Sequence, residues 1–457
     1  MTIERILIAN RGEIAARIIR TCRALGIETV LAVSEEDRGY LPARLADRVV
    51  CIGPARPADS YLKVATIVQA ALGVRADAIH PGYGFLSERV ELARTCEQHG
   101  IVFIGPTAAQ IAAVGDKLCA RAEAQAADVP VAPGAAIADL KEAVALAERI
   151  GMPLLVKAVG GGGGRGMKLV ERIEDLPNAL SLAQSEAGAA FGDARVYLER
   201  FVTRGRHIEV QVLGDGNGRV VHLGERDCSV QRRYQKLIEE TPAPGLSESF
   251  RRRIHAAAVR FAERLAYRGA GTVEFLVDSQ REEFYFLEMN ARIQVEHPVT
   301  EAVTGIDIVA QQIAIAAGRG LCLEQSDVTS GGWAVECRVN AEDPTQDFQP
   351  SPGPVHEALW PAGAGIRVDT HIDAGSRISP FYDSLMAKII AHAQDRAAAL
   401  ERLRAAVAGT RILGVRTTLP LHLAILADPE FQAGGVDTGF LARHIDRARR
   451  SSEANRG

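Results

Sequence analysis

Short apolar runs alternate with amphipathic helical patterns through the N-terminal part of the chain. Residues 13–25 repeat apolar side chains at helical spacing after the first run, and Gly26 follows as a stop signal. Strand and helix patterns that alternate in this way predict a doubly wound parallel sheet, an α/β architecture of the Rossmann type. The predicted strands are residues 6–9, 29–33, 49–52, 78–80 and 102–104.

The first strand-to-helix turn argues against a dinucleotide site. An acidic cluster at residues 35–37 follows the second predicted strand, as it does in many NAD-binding proteins. The turn offers only Gly12, however, and lacks the G-x-G-x-x-G that lets pyrophosphate approach the backbone. The glycine-rich segment 80–88 also follows a strand, at a place where ligands often bind in such sheets.

A run of glycines at residues 160–166 separates two predicted strands, 154–157 and 167–170. A P-loop would contain Gly-Lys-Ser/Thr and would open a helix, and this run does neither. A glycine hairpin exposes many N–H groups, so it can fold over a polyphosphate as a lid, with Lys157 at its base. A flexible linker is the alternative, but apolar strands bracket the run closely. Helices are predicted before it, at residues 111–127 and 140–150.

Polar side chains are interleaved with the next apolar segments. Residues 196–202 predict a strand that ends in a carboxylate and an apolar pair, which suits the edge and face of an adenine ring. Residues 206–212 alternate strictly, and for Glu209 we expect a half-exposed strand position. Residues 225–236 predict a cationic loop that could capture an anion. Its basic residues are Arg226, Arg232, Arg233 and Lys236.

Two carboxylates face each other in a predicted hairpin of residues 271–277 and 284–287. Glu274 and Glu288 fall on neighbouring strands, where directly opposed side chains lie within about 5 Å. Like charges at ~4 Å repel by about 4 kcal/mol at an effective dielectric near 20, so a shared proton or a bridging cation is expected. Asn290 adds a neutral oxygen, and this oxygen set suits Mg²⁺ or Mn²⁺ better than zinc.

The every-second-residue pattern continues beyond Asn290 with Arg292, Gln294 and Glu296. A metal followed by a guanidinium and another carboxylate suggests a small anion held beside a metal-bound phosphate. The alternative is a solvated strand edge with alternating charges. The strongly apolar flanking strand favours a polar face that points into a cleft.

The chain changes character from Trp333 onward. Residues 334–340 and 366–369 predict strands and residues 395–407 a helix, which together indicate a third, α+β unit. We predict an N-terminal Rossmann-like domain at 1–113 and a central domain at 114–330 that contains a glycine-rich lid at about 131–203. A C-terminal domain at 331–446 and a polar tail at 447–457 complete the chain.

Composition narrows the function classes. The 457 residues carry a net charge of −4, which argues against a general nucleic-acid binder. The seven cysteines are scattered without a C-x-x-C pair, so we expect small core side chains in a reducing compartment. No signal peptide and no apolar stretch of ~18 residues is visible, so a cytoplasmic enzyme that does not enter a membrane is expected.

Taken in order, the motifs resemble those of the biotin carboxylases of the ATP-grasp superfamily, over roughly residues 3–445. Each motif alone is weak evidence, and their specificity lies in the combination. They are residues 9–14, 80–88, the glycine run 160–166, and residues 225–233, 288–300 and 335–342.

The resemblance implies an ATP-dependent C–N ligase with the ATP-grasp fold and a C-terminal α+β biotin-carboxylase domain. ATP and two Mg²⁺ or Mn²⁺ ions would serve the reaction, and biotin would be the carrier-bound substrate. The implied ATP-binding residues are Lys117, Lys157, Gly162, Gly163, Gly164, Gly166, Glu199, Phe201, Val202, His207, Gln231, Tyr234, Glu274 and Glu288. The implied metal ligands are Glu274, Glu288 and Asn290. The implied bicarbonate site is Lys236, Arg292, Gln294 and the Val295 backbone, with Glu296 as general base. The implied biotin contacts are Arg338 and Tyr83.

The implied reaction joins bicarbonate to ATP-derived phosphate as carboxyphosphate and then carboxylates biotin. The only Met-Lys pair, Met167-Lys168, is followed by leucine and does not match the family's biotin-attachment motif. We therefore expect a separate biotin carboxyl carrier protein and a separate carboxyltransferase. The family also suggests a homodimer in an acyl-CoA carboxylase, with acetyl-CoA as the expected substrate and a role in fatty acid biosynthesis.

Three positions depart from the commonest family pattern: Thr107, Tyr234 and Ala291. None of them removes an implied ligand, although the affinity for nucleotide could differ. Two alternatives stay open from the sequence. One is an ATP-grasp ligase for urea or an amine, and the other is a catalytically inactive nucleotide-binding homologue.

Overall fold

The computed structural model describes residues 2–160 and 167–454. The N-terminal sheet is parallel throughout, which confirms the predicted doubly wound architecture. Its elements are β1 (Arg5–Ile8), α1 (Gly12–Ala24), β2 (Glu28–Val33), α2 (Leu41–Leu45), β3 (Arg48–Cys51), α3 (Val64–Gly73), β4 (Ala78–His80), α4 (Val90–Gln98), β5 (Val102–Phe103) and α5 (Ala108–Gly115). The strand order is β3-β2-β1-β4-β5.

The predicted helix 111–127 is wrong as one element. Helix α5 ends at Gly115, and α6 (Lys117–Ala126) begins two residues later. Asp116 breaks the helix because its backbone is extended and its Oδ1 accepts hydrogen bonds from the N–H groups of Leu118 and Cys119 at 2.9 and 3.0 Å. Lys117 is therefore the first helical residue of α6.

The next segment folds around a small antiparallel sheet with its own core. Its elements are β6 (Gly134–Ala136), α7 (Leu140–Ile150), β7 (Leu154–Ala158), β8 (Lys168–Val170), α8 (Leu176–Phe191) and β9 (Val196–Arg200). The strand order is β6-β9-β7-β8. Leu146, Leu154, Val156 and Leu198 are buried between this sheet and its helices. The predicted strands on both sides of the glycine run are confirmed.

A large antiparallel sheet forms the centre of the molecule. It begins with β10 (Arg206–Asp215), β11 (Val220–Arg232), β12 (Gln235–Thr241), α9 (Glu248–Arg264), β13 (Arg268–Asp278), β14 (Glu283–Asn290), α10 (His297–Thr304) and α11 (Ile308–Ala316). The segment predicted as a cationic loop is instead the hairpin of β11 and β12, which turns at Arg233 and Tyr234. Both turn residues have positive φ, at 47° and 68°.

The C-terminal segment extends the same sheet with three of its strands and pairs its other strands in two-stranded sheets. Its elements are β15 (Trp333–Asn340), β16 (Glu342–Asp343), β17 (Gln349–Pro350), β18 (Gly353–Pro354), β19 (Glu357–Leu359), β20 (Ile366–Thr370), β21 (Arg377–Ile378), β22 (Leu385–Ala393), α12 (Arg396–Gly409), β23 (Arg411–Leu413), α13 (Leu419–Leu426), α14 (Pro429–Ala433) and α15 (Phe440–Ala454). The order across the large sheet is β14-β13-β10-β11-β12-β15-β22-β20. The backbone of residues 447–454 continues α15, so this part of the predicted polar tail is helical. The domain boundaries themselves stay predictions.

The N-terminal sheet and the large sheet pack on a shared core, whose members include Leu7, Phe103, Val210 and Phe275. The expectation that all cysteines are small core side chains is only partly met. Cys22, Cys96, Cys228 and Cys337 are buried, but Cys51, Cys119 and Cys322 are exposed, and all seven are free thiols.

Within the described residues, no single helix is long and apolar enough to cross a membrane. Helices α10 and α11, which are bent by 97° relative to each other, would together be long and apolar enough to cross a membrane, judged by length and composition alone.

Candidate functional site

Glu274 and Glu288 are directly opposed on β13 and β14, as the sequence predicts. Burial opposes the ionisation of Glu274, but the Lys236 ammonium and the His207 imidazole outweigh it and hold the pKa of this carboxyl well below its usual range. Burial and the facing Glu274 raise the pKa of Glu288, and Lys117 only partly offsets them. The pair therefore has the charge repulsion that a bound divalent cation would relieve.

Asn290 ends β14 beside this pair but does not point its oxygen at it. Its Nδ2 donates to Glu274 Oε1 at 2.8 Å, and its Oδ1 accepts from Arg292 Nη2 at 2.8 Å. To serve as a metal ligand, the Asn290 amide must flip so that its oxygen faces the two carboxylates. The predicted strand pattern through residue 296 is also wrong, because β14 ends at Asn290 and residues 291–296 form an irregular segment.

Lys236 on β12 lies among three buried carboxylates. Its Nζ donates to Glu209 at 2.5 Å, to Glu296 at 2.6 Å and to Glu274 at 3.0 Å. Burial by itself would lower the pKa of Lys236, but the surrounding anionic groups raise it well above its ordinary value. The lysine is therefore a permanent cation at the centre of the site.

The expectation of a half-exposed Glu209 is wrong. Its side chain has no exposed surface, and it accepts from Arg226 Nε at 2.6 Å as well as from Lys236. Arg226 is itself completely buried on β11 and also donates to Gln211 and Thr300. Arg226 is therefore committed to internal contacts and does not belong to an open anion-binding loop.

Glu296 lies between two cations. Its Oε1 accepts from Lys236, and its Oε2 accepts from Arg338 Nη2 at 3.0 Å. Burial opposes ionisation of this fully buried carboxyl, but Lys236, Arg338 and Arg226 prevail and hold its pKa well below its usual range. Arg338, on β15, is held from the other side by Glu239, whose Oε1 accepts from its Nε at 2.6 Å.

Arg292 lies at the edge of the same group of side chains. Its Nε donates to Glu88 at 2.8 Å, and its Nη1 donates to Gln294 Oε1 at 2.8 Å. Gln294 in turn donates to Glu274 Oε1 at 3.1 Å. Glu88 also accepts from the Ala291 N–H at 3.0 Å, so this carboxylate of the 80–88 segment fixes the start of the irregular segment.

A buried chain of contacts joins the N-terminal domain to this segment. Lys388 on β22 donates to the Val295 carbonyl at 2.7 Å and lies 3.1 Å from Glu13. Tyr83, an expected biotin contact, donates a hydrogen bond to Glu13. The Val295 carbonyl therefore accepts its hydrogen bond from a buried lysine of the protein itself.

The expected phosphate- and adenine-binding side chains form a second group near the small sheet. Lys157 Nζ donates to Glu199 Oε1 at 2.5 Å, and Arg121 lies 3.4 Å from the same carboxylate. Burial opposes the charge on Lys157, but Glu199 outweighs it and raises the pKa of the amine. Burial lowers the pKa of Lys117, which Glu288 only partly counters. Lys117, Lys157 and Glu288 thus influence one another electrostatically, as residues around one polyphosphate would.

The remaining expected nucleotide contacts are distributed along the strands beside this group. His207 Nε2 lies 2.9 Å from Glu274, Gln231 is buried on β11, and Tyr234 is 54% exposed at the hairpin turn. Phe201 and Val202 directly follow β9 and are half-buried. The expected contacts Gly162, Gly163, Gly164 and Gly166 lie outside the described residues.

Several side chains of the site were missed in the sequence. Glu88, Glu239 and Lys388 each bond directly to an expected site residue. A carboxylate next to an apolar pair, as in Leu237-Ile238-Glu239, is a usable signal because an isolated charge in a buried strand needs a partner.

Three family models match the chain in succession. They are the biotin carboxylase N-terminal domain at residues 2–111, the ATP-binding domain of the carbamoyl-phosphate synthase L chain at 116–324, and the biotin carboxylase C-terminal domain at 336–443. Together with the solved neighbours, these matches define an ATP-dependent ligase with the ATP-grasp fold.

Known relatives extend over nearly the whole chain. A biotin carboxylase of Nostoc is 50% identical and covers 96% of this chain and 99% of its own length. A pyruvate carboxylase subunit from Methanothermobacter thermautotrophicus is 46% identical over 98% of this chain and 91% of its own length. The biotin carboxylase domain of Hydrogenobacter thermophilus 2-oxoglutarate carboxylase, solved as a dimer with MgADP, ADP and bicarbonate, is 45% identical, with a TM-score of 0.94 and coverage of 97% and 98%.

The chain belongs to the biotin carboxylase family. It is an ATP-dependent carboxylase, and enzymes of this family use ATP, Mg²⁺ and biotin. It acts as the biotin carboxylase component of a biotin-dependent carboxylase.

Proposed function

We propose that Glu296 is the general base for bicarbonate and that Lys236, Arg292 and Gln294 hold the anion beside it. The observation that carries this assignment is the position of Glu296, which is buried between Lys236 and Arg338. Bicarbonate that binds Lys236 would take over part of the positive charge that now lowers the pKa of Glu296. The carboxylate would then become basic enough to accept the bicarbonate proton.

Glu274 and Glu288 fit a divalent cation, because their opposed carboxylates are buried and repel each other. We propose these two residues as the Mg²⁺ ligands, with Asn290 as a third after its amide turns. Bound Mg²⁺ supplies neutralisation of the phosphoryl oxygens. Lys117 and Lys157 would hold the phosphates of ATP, and Glu199 and Val202 would face the base.

Arg338 is proposed to contact the ureido group of biotin, with Tyr83 nearby. Its guanidinium now donates to both Glu239 and Glu296. When Glu296 takes a proton it loses its charge, and its hold on Arg338 weakens. Deprotonation of bicarbonate would thereby release Arg338 donors for biotin at the moment they are needed.

We further propose a separate biotin carboxyl carrier protein, a separate carboxyltransferase and a homodimer of this chain. The dimer named for the Hydrogenobacter thermophilus relative supports the last assignment. An acyl-CoA, with acetyl-CoA first, is the proposed final acceptor. The relatives from pyruvate and 2-oxoglutarate carboxylases make those 2-oxo acids the alternatives.

Phosphate release from ATP tests the proposal when bicarbonate and free biotin are each left out in turn. We expect release that requires bicarbonate and is stimulated by biotin, but not by urea or simple amines. Stimulation by urea instead of biotin would favour a different ATP-grasp ligase. Unmeasurable release in every mixture, with ATP still bound, would favour an inactive homologue.

A further inference from the structure

Two buried carboxyls on neighbouring strands lie behind Arg338. Glu239 on β12 and Glu336 on β15 are cross-strand partners in the sheet register, and neither has any exposed surface. Directly opposed residues of an antiparallel pair project from the same face, with Cβ atoms about 5 Å apart. The two carboxyls are therefore neighbours in the interior of the protein.

Their hydrogen bonding is one-sided. Glu239 Oε1 accepts from Arg338, but Glu239 Oε2 and both oxygens of Glu336 receive no hydrogen bond from the described residues. An ionised carboxylate that is buried without a donor, as Glu336 would be, is strongly destabilised, and a second negative charge on the neighbouring Glu239 would destabilise it further. A proton on one carboxyl removes a charge and supplies a donor to the other.

The charged groups around the pair favour a proton on Glu336. Arg338 bonds Glu239, whereas Lys388, the other cation near Glu336, is engaged with the Val295 carbonyl and Glu13. Burial, only partly offset by Lys388 and reinforced by Glu239, raises the pKa of Glu336 well above its ordinary value. Burial and the neighbouring Glu296 raise the pKa of Glu239 to about 7 against the effects of Arg338 and Lys236. From α10, His297 is kept neutral, because burial and Lys388 hold its pKa well below its usual range.

We propose that Glu239 and Glu336 share one proton across β12 and β15 and that this singly charged pair is the positioning device for Arg338. The ionised Glu239 fixes the Nε edge of the guanidinium, and the protonated Glu336 donates to the free oxygen of Glu239. The remaining donors of Arg338 then point towards Glu296 and the biotin position. This inference rests on the proposed contact of Arg338 with biotin.

The pair makes biotin carboxylation sensitive to pH. Above about pH 7, Glu239 is charged and holds Arg338; as the pH falls through that value, it gains a proton and the hold is lost. We therefore expect an acidic limb in the pH profile of biotin carboxylation. Bicarbonate-dependent ATP hydrolysis without biotin does not use Arg338 in this way and should lack that limb.

Two substitutions of Glu336 separate proton sharing from a pair of anions. In Glu336→Gln, a neutral amide replaces the neutral acid and can still donate to Glu239. The midpoint of the acidic limb should therefore stay within about half a pH unit of the wild-type midpoint. In Glu336→Leu, the donor is lost and the charged form of Glu239 is destabilised, so the limb should move upward by about one to two pH units. Glu357→Gln, at an exposed ion pair with Arg411, is the control.

If Glu336 were ionised, both substitutions would remove a negative charge and move the limb to lower pH, which would overturn the proposal. An infrared spectrum adds a readout that is independent of activity. The wild-type protein should show, at neutral pH, a C=O band of a buried carboxylic acid that is missing from the spectrum of Glu336→Gln; this difference separates it from bands of other buried carboxyls such as Glu288. A wild-type spectrum without that band also overturns the proposal. A wild-type enzyme that shows the band but has no biotin-dependent turnover would contradict only the proposed function.

Discussion

At the residue scale, the site is a set of buried charges that compensate one another. Lys236 contacts Glu209, Glu274 and Glu296, and Arg338 closes the group on the far side of Glu296. Removing one member of such a group leaves its partner charged and buried, which costs more than the contact itself is worth. Substitutions that keep shape but remove charge are therefore the informative ones.

Glu296→Gln keeps the shape of the side chain but cannot accept the bicarbonate proton. We expect biotin carboxylation to fall by at least about 10²-fold, the usual contribution of a general base. ATP binding, measured by calorimetry, should stay within a few-fold of wild type. Glu401→Gln, which alters an exposed pair with Arg404, is the matched control. Full turnover by Glu296→Gln would remove this residue as the base.

Arg338→Ala separates the two parts of the reaction. Because the guanidinium is assigned to biotin, biotin-dependent carboxylation should fall by an order of magnitude or more beyond any loss in bicarbonate-dependent ATP hydrolysis. Both rates are measured on one preparation, with the exposed Arg404→Ala as control. Equal losses in the two rates would argue against a role at biotin.

At the scale of elements, the hairpin of β13 and β14 and the strand β10 could be predicted, but the burial of Glu209 on β10 could not. Two apolar runs joined by a short polar turn predict the hairpin that places Glu274 opposite Glu288, but the pattern does not show the register shift between Glu274 and Phe275. Glu209 lies in an alternating strand, which is also the pattern of an exposed face. Its burial depends on Arg226 and Lys236, which come from other strands.

Gly134 allows β6 to lie close against β9. A Cβ at this position would clash with the Leu198 carbonyl and lie 2.9 Å from the Glu199 Cα. Gly134→Ala should therefore destabilise the fold by about 1–3 kcal/mol, as overpacking does, and weaken ATP binding by shifting Glu199. Urea unfolding and calorimetry are the measurements. Gly188→Ala is the control, since among the described residues a Cβ there meets only Ala194, at 3.7 Å. Equal effects of the two substitutions would contradict this explanation.

Glu225 ties β11 to α9 through a buried ion-pair cluster. It accepts from Arg251 at 2.8 Å and contacts His255 at 2.6 Å. Burial opposes its ionisation, but His255 and Arg251 prevail and lower its pKa to about 2. Because its pKa is lowered in the folded protein, ionised Glu225 stabilises the fold at pH values above its ordinary pKa of 4.5. This contribution is lost as the pH falls towards 2. Glu225→Gln should cost roughly 3–5 kcal/mol at pH 7.

The pH dependence of this effect is its check. The difference in thermal midpoint between wild type and Glu225→Gln should shrink as the pH is lowered from about 4.5. A difference that stays constant over this range would mean that the charge of Glu225 is not what stabilises the fold.

At the scale of the whole molecule, the site is assembled from three distant parts of the chain. Glu13 on α1 and Tyr83, shortly after β4, come from the N-terminal part of the chain. Lys236 and Glu296 come from the centre, and Arg338 comes from β15, which pairs with β12. The sequence motifs indicated the candidate residues of each part, but not how the parts come together. The sequence alone could not show that the C-terminal strands extend the central sheet, because the pairing of β12 with β15 depends on contacts between segments far apart in the chain.

Transfer of labelled carbon from bicarbonate to free biotin is the most direct test of the account. With ATP and Mg²⁺ present, we predict acid-labile label on biotin in the wild-type protein and none above background in Glu296→Gln. ATP hydrolysis by the wild-type protein without label on biotin, or label transferred equally well by Glu296→Gln, would contradict the account.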